Sequence, residues 1–358
     1  MSRFLSPILS SLTPYTPGEQ PQNRQYIKLN TNESPYPPAP GVAEVLAAAD
    51  AAELRLYSDP EAAKPRAAIA EYYGLKPENV FLGNGSDEVL AFAFQAFGRG
   101  RKMAFPDVTY AFYSVFAALF GIPVRIVPLA ADFTIDPSNY YRPGEQVVLA
   151  NPNAITGLEL PLTVIEGILQ RHPDDMVIID EAYVDFGGES AVALLDKYPN
   201  ILVVQTLSKS RQLAGARVGL ALGSPDVIAD LNTVKFSFNP YNVNRLSLEL
   251  AAAAMRDKDY FNACCAKIIA DREFTAAGLK KLGFLVLPGK ANFLLARHDK
   301  ISGEAYYRQL KQRGILVRWF DEVRIRDFVR ITIGSHAEMQ MLLDVTSQIL
   351  ANNKGELT

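Results

Sequence analysis

The chain has 358 residues, of which 49% are hydrophobic and 21% are charged, and its formal net charge at pH 7 is −3. This length predicts a large domain joined to a smaller one, and the composition is that of a globular protein. A net charge so close to zero argues against nucleic acid or an anionic membrane as a partner. No apolar run approaches the roughly 20 residues that span a bilayer, and the N-terminus lacks a signal-peptide pattern.

The cysteines and histidines bear on the compartment of the protein and on metal binding. Cys264 and Cys265 are the only cysteines, and adjacent cysteines make a poor structural disulfide. They predict reduced, buried thiols in a cytoplasmic protein. The three histidines lie far apart in sequence, so we expect no metal site.

The first half of the chain has the pattern of an α/β domain that follows an extended arm. Residues 1–41 are rich in proline, asparagine and tyrosine, which predicts the arm. Helical patterns then alternate with continuous apolar runs, which are typical of strands buried on both faces of a mainly parallel sheet. The runs lie at residues 80–82, 102–105, 124–127, 147–150, 176–179, 201–204 and 218–222. We predict a large domain with a seven-stranded-type sheet over residues 42–250.

The second half of the chain has a different pattern. A long helical region at residues 225–281 is followed by apolar runs that alternate with two helical patterns. The runs lie at residues 284–287, 293–296, 315–317 and 329–333, and the helical patterns at 304–313 and 337–352. We predict a smaller α+β domain over residues 251–358, with the arm packed against it.

Polar residues follow three of the predicted strands, at the edge where parallel sheets bind ligands. Asp180 and Tyr183 follow one run, Ser208 and Lys209 follow another, and Asn153 follows a third. This set suits pyridoxal phosphate (PLP), which requires a lysine amine for its aldehyde and a buried carboxylate for its pyridine nitrogen. Asp180 alone could be a helix cap, and Lys209 alone a surface lysine, but their combination indicates the cofactor.

A phosphate site is also visible in the sequence. The run at 80–82 is followed by the turn at 83–88 and then by a helical pattern, so free amides at Gly85, Ser86 and Asp87 would face an anion. Arg217 would add a guanidinium, and Tyr110 could stack on the pyridine ring. Glu88 occupies the place of the third glycine in the dinucleotide fingerprint, which argues against a dehydrogenase.

Several motifs match one family. The chain resembles the fold-type I PLP-dependent aminotransferases over nearly its whole length, and within them the histidinol-phosphate aminotransferases. The motifs are Pro14-Tyr15-Thr16-Pro17-Gly18, Leu29-Asn30-Thr31-Asn32-Glu33, Tyr57-Ser58-Asp59-Pro60, Gly83-Asn84-Gly85-Ser86-Asp87, Asp180-Glu181-Ala182-Tyr183, Thr206-Leu207-Ser208-Lys209 and Ala214-Gly215-Ala216-Arg217.

The resemblance implies a role for each site residue. Lys209 would bind the cofactor as a Schiff base and move protons, Asp180 would face the pyridine nitrogen, and Tyr183 would donate to the phenolate oxygen. Tyr57 would reach the cofactor from the partner subunit of a homodimer. The phosphate and the ring would be held by Gly85, Ser86, Asp87, Thr206, Ser208, Arg217 and Tyr110. The substrate would be bound by Arg318, Arg330, Tyr15, Asn32 and Tyr36.

Two departures from the family pattern leave roles open. Ala154 stands where the family commonly has the asparagine that bonds the phenolate oxygen, so either Asn153 takes over or Tyr183 acts alone. Arg211 stands near the expected phosphate site, where it either adds positive charge or is a solvated helix residue.

The resemblance implies transamination between L-histidinol phosphate and 2-oxoglutarate, which yields imidazole-acetol phosphate and glutamate in histidine biosynthesis. Two alternatives use the same scaffold, a threonine-phosphate decarboxylase and an aromatic amino-acid aminotransferase. A non-catalytic PLP-bound regulator is a third, although the arm has no helix-turn-helix pattern of the kind that would bind DNA.

Overall fold

The structure is a computed structural model that describes residues 2–6, 9–10, 12–21 and 24–355. A few positions of the predicted arm and of the predicted small domain therefore lie outside the described residues. The strands are β1 (Ile27–Leu29), β2 (Val80–Gly83), β3 (Lys102–Pro106), β4 (Val124–Val127), β5 (Glu145–Ala150), β6 (Val177–Asp180), β7 (Ile201–Thr206), β8 (Gly219–Gly223), β9 (Leu285–Val286), β10 (Phe293–Arg297), β11 (Ile315–Trp319) and β12 (Phe328–Thr332). The helices are α1 (Pro40–Ala47), α2 (Ala63–Tyr73), α3 (Ser86–Ala93), α4 (Phe112–Phe120), α5 (Leu162–Arg171), α6 (Pro225–Phe238), α7 (Arg245–Arg256), α8 (Lys258–Lys281), α9 (Gly303–Gln312) and α10 (His336–Gly355).

The larger sheet has seven strands in the order β2-β8-β7-β6-β5-β3-β4. Strands β3 to β7 pair in parallel, whereas β8 runs antiparallel to both β7 and β2. Each predicted apolar run from 80 to 222 is a strand of this sheet, so the predicted α/β fold is confirmed. The turns that follow β2, β5, β6 and β7 and the turn that precedes β8 all lie at one edge, because β8 alone is reversed.

Both faces of this sheet are buried, which explains why the runs are continuously apolar. Val177 and Ile179 pack into one cluster with the helices α1, α2, α5 and α7. Ile178 faces the other side and packs into a second cluster with α3, α4, α6 and α8. Since successive side chains of a strand point to opposite faces, a strand between two helical layers needs apolar residues at every position.

The long helical region from residue 225 is divided by capping residues. The Asn244 carboxamide accepts a hydrogen bond from the Ser247 amide at 2.9 Å and begins α7. The Asp257 carboxylate accepts one from the Tyr260 amide at 3.2 Å and begins α8. These side chains satisfy first-turn amides that have no partner inside the helix.

The smaller sheet has five strands in the order β1-β11-β12-β10-β9, and it includes part of the arm. Strand β1 pairs in parallel with β11, so Leu29 lies beside Val317. Strands β11 and β12 are antiparallel, with Arg318 opposite Arg330. The pairing of β1 holds the following residues of the arm near the strands that carry these arginines.

The division into domains stays a proposal. The suggested boundary near residue 250 falls inside α7, which packs against α1 and α2 beside the larger sheet. None of the helices formed by the described residues is long and apolar enough to cross a membrane.

The structure contradicts both interpretations of Arg211. This residue does not face the predicted phosphate site, and it is not solvated. Its side chain is buried, and its guanidinium carbon lies 3.6 Å from the centre of the Phe261 ring and 4.7 Å from that of Tyr72. Its Nη1 donates to the Ala254 carbonyl oxygen at 2.9 Å. Aromatic faces and one carbonyl group replace water around a planar guanidinium, so Arg211 anchors the turn after Lys209 to the helical layer.

Candidate active site

A cavity lies at the edge of the larger sheet where the predicted site residues converge, and it is closed by the arm and by the strands β11 and β12. Most of the predicted site residues line this cavity. They are Tyr15, Asn32, Ser86, Asp87, Tyr110, Asp180, Tyr183, Thr206, Ser208, Lys209, Arg217, Arg318 and Arg330.

Asp180 is the last residue of β6 and is almost completely buried. Burial raises the pKa of this carboxyl to about 6, although hydrogen bonds from Tyr113 and from the Ala182 amide oppose the rise, and the charge of Asp87 adds to it. The Tyr113 hydroxyl donates to Asp180 Oδ2 at 2.7 Å, and the Ala182 amide donates to Oδ1 at 3.2 Å. The carboxylate has no cationic side chain among these partners, so it can face a protonated ring nitrogen.

Tyr113 is a hydrogen-bond partner of Asp180 that the sequence did not single out. It lies in α4 and is fully buried, and its hydroxyl crosses to β6. A tyrosine three residues after Tyr110 was the available signal, because a helix that begins beside the cavity can direct an early side chain toward it.

Lys209 lies in the turn after β7, and its Nζ donates to the Thr31 carbonyl oxygen of the arm at 3.0 Å. Burial lowers the pKa of this amine to about 8, and repulsion by Arg330 lowers it further, whereas Glu33 and Asp87 oppose the change. A lysine with this pKa has a substantial neutral fraction near pH 8, and the neutral amine is the nucleophile that an aldehyde requires.

The predicted phosphate site is a concave surface, here called the cradle, formed by the start of α3, Arg217 and two glycines that leave room for them. Gly85 precedes α3 with φ +81°, and a Cβ there would lie 2.4 Å from Arg217 Nη2. A Cβ at Gly219 would lie 2.2 Å from the Ser86 backbone nitrogen. The absence of both side chains lets the start of α3, β8 and the Arg217 guanidinium approach one another. Free first-turn amides beside a guanidinium form an anion site.

Hydroxyl groups complete this end of the cavity. Thr206 Oγ1 donates to Ser208 Oγ at 3.0 Å and accepts from the Ser208 amide at 3.1 Å. Arg217 is held only loosely, with its Nη2 3.4 Å from Asp87 Oδ2 and its side chain 46% exposed. Its guanidinium therefore keeps donors available for an anion.

The aromatic residues form one wall of the cavity. The Tyr110 hydroxyl donates to the other oxygen of Asp87, Oδ1, at 2.7 Å, which fixes the ring beside the phosphate cradle. Tyr15 of the arm stacks on Phe112, with ring centres 4.3 Å apart. An aromatic ring bound here would find flat apolar partners.

Arg318 and Arg330 project from opposed positions of β11 and β12 into the same cavity. Arg330 donates to the Ala154 carbonyl oxygen at 2.9 Å, and its buried Nε has no partner among the described residues. Arg318 donates to the carbonyl oxygens of Thr16 and Pro17 at 3.2 and 3.3 Å. Both guanidinium groups thus bond to neutral backbone oxygens of the arm and of a neighbouring loop, not to carboxylates.

The structure does not place Asn153 in the cavity, which corrects the prediction that it binds the cofactor. Its Nδ2 donates to the Val108 carbonyl oxygen at 2.9 Å, and its Oδ1 accepts from the amides of Ile155 and Thr156. Its carboxamide is therefore engaged by its own loop and by the loop after β3, whereas Ala154 lines the cavity and has no polar side-chain atom.

Three further predicted residues lie outside the lining of the cavity. Gly85 contributes to the cradle by its lack of a side chain, but its amide donates to the Gly83 carbonyl oxygen at 2.9 Å, so the prediction that this amide is free to face an anion is wrong. Tyr57 is 78% exposed and stacks on Tyr241 at a ring distance of 4.5 Å. Tyr36 is partly buried beside Lys267, whose Nζ lies 5.3 Å from the ring centre. The structure of one chain does not bring Tyr57 or Tyr36 to Lys209.

The residues present fit PLP. A carboxylate without a cationic partner, an amine with a lowered pKa and a glycine-lined anion cradle open into one cavity. These are the groups that the ring nitrogen, the aldehyde and the phosphate of PLP require.

Comparison with known proteins identifies the family of the chain. Residues 24–345 match the family model described as aminotransferase class I and II. The chain is 48% identical over 352 residues to a histidinol-phosphate aminotransferase from Clostridium acetobutylicum, covering 98% of this chain and all of that protein. It is 51% identical over 346 residues to one from Marinomonas sp. (strain MWYL1), covering 96% of this chain and 98% of that protein.

Solved structures agree on the fold. The histidinol-phosphate aminotransferase from Sinorhizobium meliloti in complex with pyridoxal-5'-phosphate superposes with a TM-score of 0.85 at 24% identity, over all of this chain and 99% of that one. The fold, the family match and the full-length relatives confirm the resemblance indicated by the motifs. The chain therefore belongs to the class I and II aminotransferases.

Proposed function

We propose that the chain transfers an amino group between L-histidinol phosphate and 2-oxoglutarate in histidine biosynthesis, with PLP as its cofactor. The observation that carries this proposal is one cavity lined by Lys209, Asp180 and two arginines whose hydrogen bonds go to backbone oxygens. The full-length relatives bearing the name histidinol-phosphate aminotransferase support the choice of substrate.

The residues around the cavity would each hold one part of the cofactor. Asp180 would hold a proton at the pyridine nitrogen, Arg217 and the α3 amides would bind the phosphate, and Tyr110 would pack against the ring. When bound, PLP supplies an aldehyde for the amino group and a ring that withdraws electrons from the substrate carbon.

Lys209 would carry out the proton transfers. With its pKa lowered to about 8, its Nζ would be neutral often enough to accept the proton from the substrate Cα. The Thr31 carbonyl oxygen, which accepts a hydrogen bond from Nζ, would help to keep the amine oriented. The arm above the cavity would exclude water while the proton moves.

Arg318 and Arg330 would bind the anionic end of both substrates. Phosphate and carboxylate each present paired oxygens to a guanidinium fork, so one site can serve both half-reactions. The aromatic wall of Tyr15 and Tyr110, both of which pack against Phe112, would accept the imidazole ring. A threonine-phosphate decarboxylase would also use an arginine pair, and an aromatic aminotransferase would also use the wall, so assays must separate the three activities.

A substrate panel tests the proposal. Purified protein with PLP is given 2-oxoglutarate together with histidinol phosphate or phenylalanine, and phosphothreonine in a parallel assay for carbon dioxide. We expect glutamate formation with histidinol phosphate at a far higher kcat/KM than with phenylalanine, and no carbon dioxide from phosphothreonine.

The control for this panel is Lys209→Ala, which should lose transamination and the visible absorbance of the lysine-bound cofactor. Preferential turnover of phosphothreonine or of phenylalanine would contradict the proposed substrate. Near-wild-type transamination by Lys209→Ala would contradict the proposed chemistry.

Arg330→Ala should raise KM for histidinol phosphate and for glutamate alike, because one guanidinium would bind both anions. Loss of a charge-assisted hydrogen bond corresponds to roughly 10- to 100-fold. Steady-state kinetics of both half-reactions measure the change, with Arg326→Ala on the exposed turn before β12 as the matched control. A change in KM for only one substrate would rule out a shared anion site.

Tyr113→Phe should make the bound cofactor more sensitive to acid. Asp180 must be ionised to hold the pyridinium proton, and burial raises its pKa to about 6, so cofactor affinity should fall as the pH drops through this range. Without the Tyr113 hydroxyl the ionised form of Asp180 loses a hydrogen-bond donor. The pH below which cofactor affinity falls should therefore rise by about one unit.

The measurement for Tyr113→Phe is the PLP dissociation constant as a function of pH. Tyr140→Phe is the control, because Tyr140 is equally buried, its hydroxyl has no partner among the described residues, and it lies outside the cavity lining. If cofactor affinity falls at the same pH in wild-type protein and in Tyr113→Phe, then this hydroxyl does not stabilise the ionised form of Asp180.

We also propose that two copies of the chain form a dimer that completes the site. Tyr57 is exposed and stacks on the exposed ring of Tyr241. The other large apolar side chains exposed beside Tyr57 in sequence and in α6 are Leu54, Leu56, Phe236 and Phe238. Soluble chains seldom leave a group of this size exposed, and a second copy would cover it and bring its own Tyr57 to the cofactor phosphate.

Mixed dimers test this arrangement. Tyr57→Ala subunits keep Lys209, and Lys209→Ala subunits keep Tyr57, so a mixed dimer has one intact site only if Tyr57 acts across the interface. Statistical mixing of equal amounts should restore about one quarter of wild-type activity. Activity that stays at the sum of the two parent variants would show that Tyr57 does not act in the partner's site.

We propose a cytoplasmic location and small molecules as the substrates. The thiols of Cys264 and Cys265 are free and buried in α8, which suits a reducing compartment. The net charge of −3 gives no support to binding of nucleic acid or of an anionic membrane.

A further inference from the structure

Asn32 of the arm joins three parts of the molecule. It is 1% exposed, and its φ of +56° lies in the left-handed region that asparagine tolerates. Its Nδ2 donates to the Tyr183 hydroxyl at 3.0 Å, and its Oδ1 accepts from Thr332 Oγ1 at 2.9 Å. Its carbonyl oxygen accepts from Asn292 Nδ2 at 3.0 Å. The arm, the loop after β6 and the smaller sheet therefore meet at this carboxamide.

The network determines which way the Asn32 carboxamide faces. Thr332 Oγ1 accepts a hydrogen bond from the Asn32 backbone amide at 3.0 Å, which leaves the single hydroxyl proton of Thr332 to donate to Oδ1. Nδ2 therefore faces Tyr183, because the reverse orientation would place Nδ2 against Thr332 and leave the buried Thr332 hydroxyl proton with no acceptor among the described residues. Tyr183 thus receives a donor and does not give its own proton to Asn32.

The proton of the Tyr183 hydroxyl is consequently available to the cavity. Tyr183 lines the cavity beside Lys209, and the described residues offer its proton no acceptor within hydrogen-bonding distance. Burial raises the pKa of Tyr183, so the hydroxyl stays protonated at neutral pH. The hydroxyl is therefore a donor with a fixed direction.

Among the described residues, neither position of the neighbouring loop duplicates this donor. Ala154, which lines the cavity at the position where an asparagine is common in the family, has no side-chain donor. The Asn153 carboxamide is already hydrogen-bonded to Val108, Ile155 and Thr156. The direction of one hydroxyl proton therefore matters more in this chain than it would beside a second amide donor.

We propose that Asn32 is a positioning residue that aims the Tyr183 hydroxyl proton at the phenolate oxygen of the cofactor. This inference rests on the proposed function, which identifies the group in the cavity. Asn32 does not touch the reacting atoms in this role, and it acts through Tyr183. Because Asn32 belongs to the arm, it can align the Tyr183 hydroxyl proton only while the arm lies over the cavity.

The test uses Asn32→Gly in the PLP-bound protein. Glycine adopts a φ of +56° without strain, so the backbone is kept while the carboxamide is lost. The measurement is the visible absorbance of the lysine-bound cofactor as a function of pH. A donor to the phenolate oxygen stabilises the deprotonated chromophore, so loss of its alignment should raise the chromophore pKa by about one unit.

A double-mutant cycle separates positioning from a general structural effect. If Asn32 acts through Tyr183, then Asn32→Gly should cause no further shift in a Tyr183→Phe background. The charged and titratable groups that interact with Tyr183 are identical in every arm of the cycle, and they are Arg330, Asp180, Tyr15, Tyr110 and Tyr113. Their influence on the chromophore therefore cancels in the comparison.

Asn292→Ala is the structural control. It removes the hydrogen bond to the Asn32 carbonyl oxygen and leaves both hydrogen bonds of the Asn32 carboxamide, so it should lower thermal stability with little change in the chromophore pKa. A second variant, Asn32→Asp, keeps the shape and tolerates the same φ, but its carboxylate can only accept. The Tyr183 proton should then turn toward the carboxylate, and the chromophore pKa should again rise.

The outcomes distinguish this inference from the proposed function. An unshifted pKa in both Asn32 variants, or an equal shift by Asn32→Gly with and without the Tyr183 hydroxyl, would overturn the positioning role alone. A shift in Asn292→Ala as large as that in Asn32→Gly would do the same. A wild-type chain that binds no PLP would overturn the proposed function and this inference together.

Discussion

The site depends on the burial of Asp180 and Lys209 at the ends of adjacent strands, with neither group neutralised by the other. Pairing of β6 with β7 fixes where the two chain segments leave the sheet, and each group finds its own partner, Tyr113 for the carboxylate and Thr31 for the amine. Burial raises the pKa of Asp180 and lowers that of Lys209. An unpaired buried acid and an amine near neutrality suit a ring that must be protonated at one end and attacked at the other.

The arm and the smaller sheet supply a second set of interactions over this pair. Arg318 and Arg330 are bonded to backbone carbonyl oxygens, among them those of Thr16 and Pro17 in the arm. An anionic substrate would offer the same donors a charged acceptor, and a charge-assisted hydrogen bond is about twice as strong as a neutral one. Substrate binding would therefore exchange neutral contacts for stronger ones, and the arm would be free to adjust as the anion enters.

The strand ends could be predicted from sequence because both faces of the larger sheet are buried, which makes every strand a continuous apolar run with polar residues after it. Contacts between distant segments could not be predicted in the same way. The bond from Tyr113 to Asp180 joins residues 67 apart, and that from Asn32 to Tyr183 joins residues 151 apart. Arg211 was misjudged because a charged residue is usually solvated, and only the packing of Phe261 against its guanidinium shows why this one is buried.

These contacts suggest that the larger sheet would hold the cofactor and that the smaller sheet, with the arm, would hold the substrate. The pyridine and phosphate ends of the cofactor would rest on groups of the larger sheet and its helices, namely Asp180, Arg217 and the start of α3, where Gly219 has no room for a side chain. The substrate anion and the direction of the Tyr183 proton would depend instead on the arm and on β11 and β12, through Arg318, Arg330 and Asn32. Since these two groups of residues share few hydrogen bonds, changes in the second can alter substrate choice while cofactor binding persists.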